Sequence, residues 1–175
     1  MTVLEAINRL DAIKPNSYSQ SEKIKWLSTL DGIIKSEIMD THEHNVELKE
    51  NPTTGKVDLY AFDIMVDSFT VNNNGEYVSS NGKVYKSAQA VITAGKAMNH
   101  PFNGYTDGAL GKTLIVGAPY DDIYVKWLEA QIDYANGEYG KYNNTKTMYG
   151  NAYDSFARAY HREHKPKSSG GFTNF

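Results

Sequence analysis

The stretch SQSEKIKWLSTLDGIIKSEI, residues 19–38, predicts a helix with one apolar face. It begins with Ser19 and, three residues later, Glu22, a pair whose side chains cap the free N–H groups at a helix start. A second such pair, Thr2 and Glu5, precedes another apolar row that ends at Pro15. The chain is therefore expected to begin with a pair of helices. The apolar residues of the second helix recur at helical spacing, at Ile24, Leu27, Leu30, Ile34 and Ile38.

The composition changes after the second helix. Turn sequences such as Asn51-Pro52-Thr53-Thr54-Gly55 alternate with short β-prone runs, and Asn81-Gly82 between two Tyr/Val pairs predicts a β-hairpin. Residues 88–98 contain alanines, which favour helix, and Val91-Ile92-Thr93, which favours strand, and we assign them to a strand. We expect this β-rich insertion to cover residues 44–103.

A second pair of helices is predicted after the insertion. Pro119 stands where the first helical residue commonly lies, and Gly137 and Gly140 are expected to close that helix. Asn143 or Asn144 is expected to cap the last helix, which stops at Pro166.

These elements predict a mainly α fold, a small helical bundle of two helix pairs interrupted by a β-rich insertion, α+β overall. Residues 1–43 and 104–165 would form the helical core and residues 44–103 the insertion. Residues 166–175, which contain two glycines and two phenylalanines, would form a flexible C-terminal arm.

Composition limits the classes of function. The 18 Lys and Arg against 21 Asp and Glu give a formal net charge of −3, which provides no positive field for nucleic acid phosphates. Cysteine is absent, which excludes disulfides, thiolate metal sites and cysteine nucleophiles. The first residues lack a signal-peptide pattern, and no apolar run approaches the roughly 18 residues that cross a bilayer. We expect no membrane association, and a protein kept in the cytosol or in an assembly formed there.

The residue patterns predict no catalytic residue, no metal site and no cofactor. His42 and His44, like His161 and His164, supply only two potential metal ligands, and the helix dipole also favours histidine at a helix C-terminus. Gly111-Lys112-Thr113 lacks the earlier glycine that a phosphate-binding loop requires. We therefore do not expect an enzyme.

The 13 tyrosines are the sequence feature that says most about function. An apolar ring with a polar tip suits a partly hydrated interface between subunits. The alternative is that these rings fill a core and direct their hydroxyl groups to solvent. The candidate subunit interface consists of aromatic residues from the second helix pair: Tyr120, Tyr124, Trp127, Tyr134, Tyr149, Tyr153 and Tyr160.

Residues 118–144, APYDDIYVKWLEAQIDYANGEYGKYNN, and the Tyr/Phe-rich segment that follows resemble head–tail connector (adaptor) proteins of long-tailed phages and prophages of Gram-positive bacteria. Lys14-Pro15-Asn16-Ser17-Tyr18 and residues 25–32, KWLSTLDG, resemble the same family. The resemblance includes both predicted helix pairs. The familiar form has a much shorter link where this chain has the insertion.

The resemblance implies a structural virion protein, made in the host bacterial cytoplasm and located at the head–tail interface. It implies a homo-oligomeric ring of about twelve copies beneath the portal protein. The ring would extend the DNA channel, let DNA pass without sequence-specific binding, and present a platform for the next neck protein, the stopper. The C-terminal segment of such adaptors commonly docks on the portal, which implies a docking arm that includes Lys165, Pro166, Lys167, Phe172 and Phe175.

A carbohydrate- or receptor-binding module is the alternative function. The Asn/Gly/Tyr-rich insertion would carry the ligand site, with aromatic rings stacked on sugars and Asn and Asp side chains as hydrogen-bond partners.

Overall fold

The computed structural model describes residues 1–62 and 64–167. These residues are 48% helical and 17% strand, with five α-helices and one five-stranded antiparallel sheet. The protein therefore has an α+β fold, and the prediction of a mainly α small helical bundle is wrong. The helices are α1 (Val3–Ile13), α2 (Gln20–Glu37), α3 (Ala88–Lys96), α4 (Ile123–Ala135) and α5 (Tyr139–Glu163). The strands are β1 (Val46–Asn51), β2 (Lys56–Ala61), β3 (Ile64–Val71), β4 (Tyr77–Ser79) and β5 (Val84–Tyr85).

The chain divides into two compact units. The helical unit, Met1–Ile38 with Pro101–Glu163, contains α1, α2, α4 and α5. The sheet unit, Met39–His100 with His164–Phe175, contains the sheet, α3 and a short 3-10 helix, Met39–Thr41. Residues 168–175 of the sheet unit lie outside the described residues.

Both predicted capping pairs are confirmed in the helical unit. Glu5 N donates to Thr2 Oγ1 at 3.2 Å and Thr2 N donates to the Glu5 carboxylate at 2.7 Å. Ser19 and Glu22 repeat this exchange at 3.2 and 2.9 Å. In α1, Val3, Ala6, Ile7 and Leu10 are buried, as is the apolar row predicted for α2. The helix α4 contacts α1, α2 and α5. Burial of these rows removes apolar surface from water, which is the main stabilising contribution to the unit.

The two later helices begin at other residues than predicted. The helix α4 starts at Ile123, and Pro119 lies in the preceding turns, where Tyr120 N donates to Gly117 O at 3.0 Å. The helix α5 starts at Tyr139 instead of after Asn143, because Gly137, at φ +72°, completes the turn between the helices.

The five strands lie side by side in chain order in the sheet unit. The predicted hairpin around Asn81-Gly82 is confirmed, since Tyr77 pairs with Tyr85 and Val78 pairs with Val84. Leu59, Phe69 and Val91 are the buried centre of this unit, and partly buried side chains that include Tyr77 and Tyr85 pack around them.

Residues 88–96 form the helix α3, so their assignment to a strand is wrong. Ser87 caps the helix, accepting a hydrogen bond from Ala90 N at 3.2 Å. Val91 and Gly95 are one turn apart, and both are buried. A Cβ atom on Gly95 would lie 3.1 Å from Val46 Cγ1 of β1, so the missing side chain allows close packing of α3 on the sheet. This packing outweighs the strand preference of the β-branched residues.

Candidate functional site

A buried carboxylate joins three segments of the helical unit. Asp31 in α2 is 0% exposed and accepts hydrogen bonds from the hydroxyl groups of Tyr105 and Tyr124, the latter at 2.5 Å. Ile115 N donates to the same carboxylate at 3.2 Å, and Val116 N donates to Tyr124 Oη at 2.7 Å. These bonds fix the loop before α4 and the first turn of α4 against α2.

Burial sets the protonation of this network. It raises the pKa of the Asp31 carboxyl, while the three donors act in the opposite direction. Burial, followed by the negative charge of Asp31, raises the pKa of Tyr105 and of Tyr124. Both tyrosines therefore remain neutral hydrogen-bond donors at neutral pH.

Further bonds join the N-terminal part of the helical unit to α4. Trp127 Nε1 donates to Trp26 O at 2.8 Å, and Tyr18 Oη donates to Asn136 Oδ1 at 2.7 Å. The Lys14 ammonium pairs with the Asp133 carboxylate, which is 0% exposed. These contacts connect the sequence segments on which the resemblance to connector proteins rests.

Partly exposed rings follow one another along α4 and α5. The ring centroids of Trp127 and Tyr149 lie 5.0 Å apart, and those of Tyr149 and Tyr153 lie 5.9 Å apart. Tyr153 Oη donates to the Glu37 carboxylate at 2.8 Å. Burial, with the charge of Glu37 as the smaller cause, raises the pKa of Tyr149 to about 12. These rings hold α5 against α4, so only part of each is available to another protein.

Among the residues that the structure describes, the most exposed aromatic group lies at the turn between α4 and α5. Tyr134 and Tyr139 are 58% and 63% exposed, and the centroid of Tyr134 lies 6.2 Å from Tyr139 and 5.2 Å from Tyr142. We call Tyr134, Tyr139 and Tyr142 the turn cluster. Ile13, 63% exposed, lies at the same end of the unit, because its neighbour Lys14 pairs with Asp133. Rigid, exposed rings of this kind are common anchors of protein interfaces.

The predicted interface residues differ in their exposure. Tyr124 is fully buried and bonded to Asp31, so the hypothesis that it lies at a subunit interface is corrected. Tyr160 is 7% exposed and packs against Phe156. Tyr120, Trp127, Tyr149 and Tyr153 are half-buried, and Tyr134 alone of the predicted set is well exposed. Tyr139 and Tyr142 were not in that set, although their position beside Gly137 and Gly140 places them at a turn.

The first residues of the predicted C-terminal arm pair with another segment of the sheet unit. Glu43 N donates to Lys165 O at 2.7 Å, Lys167 N donates to Thr41 O at 2.9 Å, and Pro166 forms a bridge with His42. Phe172 and Phe175 lie outside the described residues. The described part of the arm is therefore held by backbone hydrogen bonds.

Within residues 1–62 and 64–167, no group of three or more His, Cys, Asp or Glu side chains is placed to hold a metal ion. His42, His44 and His164 belong to the sheet unit, and His161 belongs to the helical unit. Among the described helices, none has the length and apolar character that spanning a bilayer requires.

Comparison of the chain with protein-family models, with curated proteins and with solved structures gave no match.

Proposed function

We propose that this chain is a head–tail connector of a tailed phage or prophage. Copies of it form a ring under the portal protein, extend the DNA channel and receive the stopper protein, and the chain catalyses no reaction. It works in the virion, at the head–tail interface, after synthesis in the host cytoplasm. DNA passes through the ring without sequence-specific binding, which the net charge of −3 favours.

The observation that carries the proposal is the meeting of the connector-like segments in one unit. Residues 14–18, 25–32 and 118–144 are far apart in the sequence, yet all belong to the helical unit. The hydrogen bonds of Trp127 to Trp26 and of Tyr18 to Asn136 join them directly. The predicted insertion, residues 44–103, where the connector proteins have a much shorter link, forms most of the sheet unit.

The turn cluster is the proposed contact between neighbouring subunits of the ring. Tyr134 and Tyr139 combine exposed apolar rings with hydroxyl groups that remain hydrated at the rim of an interface. The residue Lys146 adds a positive charge, with its ammonium 5.7 Å from the Tyr142 ring centroid. In this proposal the arm that begins at Lys165 contacts the portal.

Sedimentation of the full chain with purified portal rings from the same genome tests the proposal. The double variant Tyr134→Ser/Tyr139→Ser removes two exposed anchors, and we expect its apparent affinity for the portal to fall about 30-fold, because subunits no longer bind cooperatively. The variant Leu4→Ser, which changes a residue 38% exposed on α1, is the matched control. Equal binding by the double variant and the wild type would refute the turn cluster as the subunit contact.

The second candidate function, a carbohydrate- or receptor-binding module, is favoured by a cleft on the sheet. The cleft has a volume of about 300 Å³, and Tyr60, Asn45 and Glu47 are among its lining residues. A ring beside amide and carboxylate groups is the chemistry that binds sugars. Binding of the full chain to a glycan array, abolished by Tyr60→Ala, would favour this function over the connector.

A further inference from the structure

A polar groove of the helical unit follows the C-terminal half of α5. It has a volume of about 490 Å³, and its lining residues are Tyr120, Asn151, Ser155, Arg158 and Arg162. Four of them belong to α5, and the spacing of positions 151, 155, 158 and 162 places them on one face of the helix. Tyr120 comes from the turns before α4, and its ring packs against Phe156 with the centroids 6.1 Å apart. We call this groove the arginine groove.

The arginine groove offers hydrogen-bond donors and positive charge. Every lining side chain carries an N–H or O–H group, and the two guanidinium groups are always charged. Among the residues that the structure describes, no Asp or Glu lines the groove. A ligand that carries negative charge and accepts several hydrogen bonds is complementary to such a lining.

The use of arginine in the groove points to a phosphate group. The sequence has 15 lysines and three arginines, and two of the three arginines line the groove. The helix dipole favours a positive charge in the last turn of α5, which contains Arg162, but a lysine would serve that purpose equally. A planar guanidinium group can also donate two parallel hydrogen bonds to one phosphate group, which an ammonium group does not do.

The guanidinium groups of the groove are accessible to a ligand. Arg158 Nη2 lies 3.6 Å from the Asp154 carboxylate, and the two side chains are 75% and 62% exposed. Water screens an ion pair that is so exposed, so an anion that enters the groove can replace Asp154 as the partner of Arg158. Arg162 is exposed as well.

We infer that the arginine groove binds a phosphate group, with Arg158 and Arg162 donating to its oxygens and Tyr120 and Asn151 completing the set of donors. The phosphate group belongs either to a small molecule or to the DNA backbone, because both present the same acceptor oxygens. The inference goes beyond the proposed function and does not depend on it, since a single chain contains the whole groove.

Titration of the full chain with inorganic phosphate, followed by NMR of the arginine Nε–H groups, tests the inference. The chain has three such groups, and Arg9→Lys identifies the signal of Arg9. We expect the signals of Arg158 and Arg162 to shift and to saturate with phosphate, and to keep their positions when sodium chloride supplies the same ionic strength. The inference would be overturned if phosphate did not move these signals or if chloride moved them equally.

A short DNA duplex, added at the same concentration of phosphate groups, distinguishes the two sources. If the duplex moves the same two signals as inorganic phosphate, the groove binds the DNA backbone. If only inorganic phosphate moves them, the groove binds a small molecule that carries phosphate.

Arg162→Gln and Lys141→Gln provide a matched pair. Each removes one positive charge from an exposed side chain of α5, and the 21 residues between the two positions correspond to about 30 Å of helix. We expect Arg162→Gln to weaken phosphate binding at least about tenfold, because it removes charged hydrogen bonds, and Lys141→Gln to leave the affinity unchanged. Equal affinities of the two variants for phosphate would overturn the inference.

Discussion

The Tyr124 hydroxyl joins α4 to α2 by a buried hydrogen bond. It donates to Asp31 at 2.5 Å and accepts from Val116 N at 2.7 Å, and Tyr124 and Asp31 are both 0% exposed. Tyr124→Phe leaves a buried carboxylate and a buried N–H each short of a partner. We expect the free energy of unfolding, measured in urea, to fall by about 1.5–3 kcal/mol.

Tyr149→Phe is the control for Tyr124→Phe. Tyr149 is half-buried and packs against Trp127, and its ring is retained in the variant. We expect its free energy of unfolding to change by about 0.5 kcal/mol or less. Equal losses in the two variants would contradict a special role of the hydrogen bonds to Asp31.

His44 makes the stability of the sheet unit depend on pH. Its side chain is 4% exposed, and burial, aided by the charges of Lys167 and His164, lowers its pKa from 6.5 to about 4. The unfolded chain therefore takes up a proton at higher pH than the folded chain does. The stabilisation is present above pH 6.5 and is lost as the pH falls toward 4, by up to about 3 kcal/mol.

We expect His44→Gln to reduce the loss of stability between pH 7 and pH 4.5, because glutamine does not titrate. Urea unfolding at the two pH values measures the difference, and His161→Gln, at an exposed position of α5, is the control. The same pH dependence in wild type and His44→Gln would show that another group is responsible.

The sequence predicts the helices better than it predicts which aromatic residues are exposed. Tyr124 and Tyr134 share a helix and a residue type, but one is 0% and the other 58% exposed. A sequence feature of α2 does indicate that a donor is buried against it. Asp31 interrupts the buried apolar face of that helix, and a buried carboxylate needs hydrogen-bond donors. Which tyrosine supplies a donor depends on tertiary packing and cannot be derived from spacing.

At the scale of elements, the Lys14–Asp133 pair fixes the end of α1 to α4. Asp133 is 0% exposed and also accepts from Thr145 Oγ1 of α5 at 3.0 Å, so one carboxylate contacts three parts of the unit. Lys14→Met leaves this buried charge without its counter-ion. We expect a loss of about 3–5 kcal/mol in the free energy of unfolding, measured by chemical denaturation.

Arg9→Met is the matched control for Lys14→Met. Arg9 lies 3.3 Å from Asp122, and both side chains are about half exposed, so water screens the pair. We expect a loss of about 0–1 kcal/mol. If the two variants lost the same free energy of unfolding, the buried Lys14–Asp133 pair would contribute no more to stability than the exposed Arg9–Asp122 pair.

Elements whose signals are local were predicted, and elements decided by packing were not. The capping pairs of α1 and α2 join residues three positions apart, and the Asn81-Gly82 hairpin joins residues no more than eight positions apart. The helix α3 carries β-branched residues whose conformation is decided by the contact of Val91 and Gly95 with the sheet. No pattern within residues 88–98 contains that information.

At the scale of the whole molecule, the sequence indicated a change of composition but not a second compact unit. The β-prone runs predict an insertion in a small helical bundle, whereas five paired strands and α3 build a unit with its own core at Leu59, Phe69 and Val91. Strand order and the helix that covers the sheet arise from contacts between distant residues. Hydrophobic spacing within one segment does not specify them.

The most direct test of the connector proposal is the mass and shape of the full chain, alone and with the portal from the same genome. Light scattering and negative-stain imaging provide both quantities. The proposal predicts a ring with a central hole, either alone or seated on the portal, with a mass of several copies of the 19.6 kDa chain. A compact monomer that remains unchanged when the portal is added would contradict it.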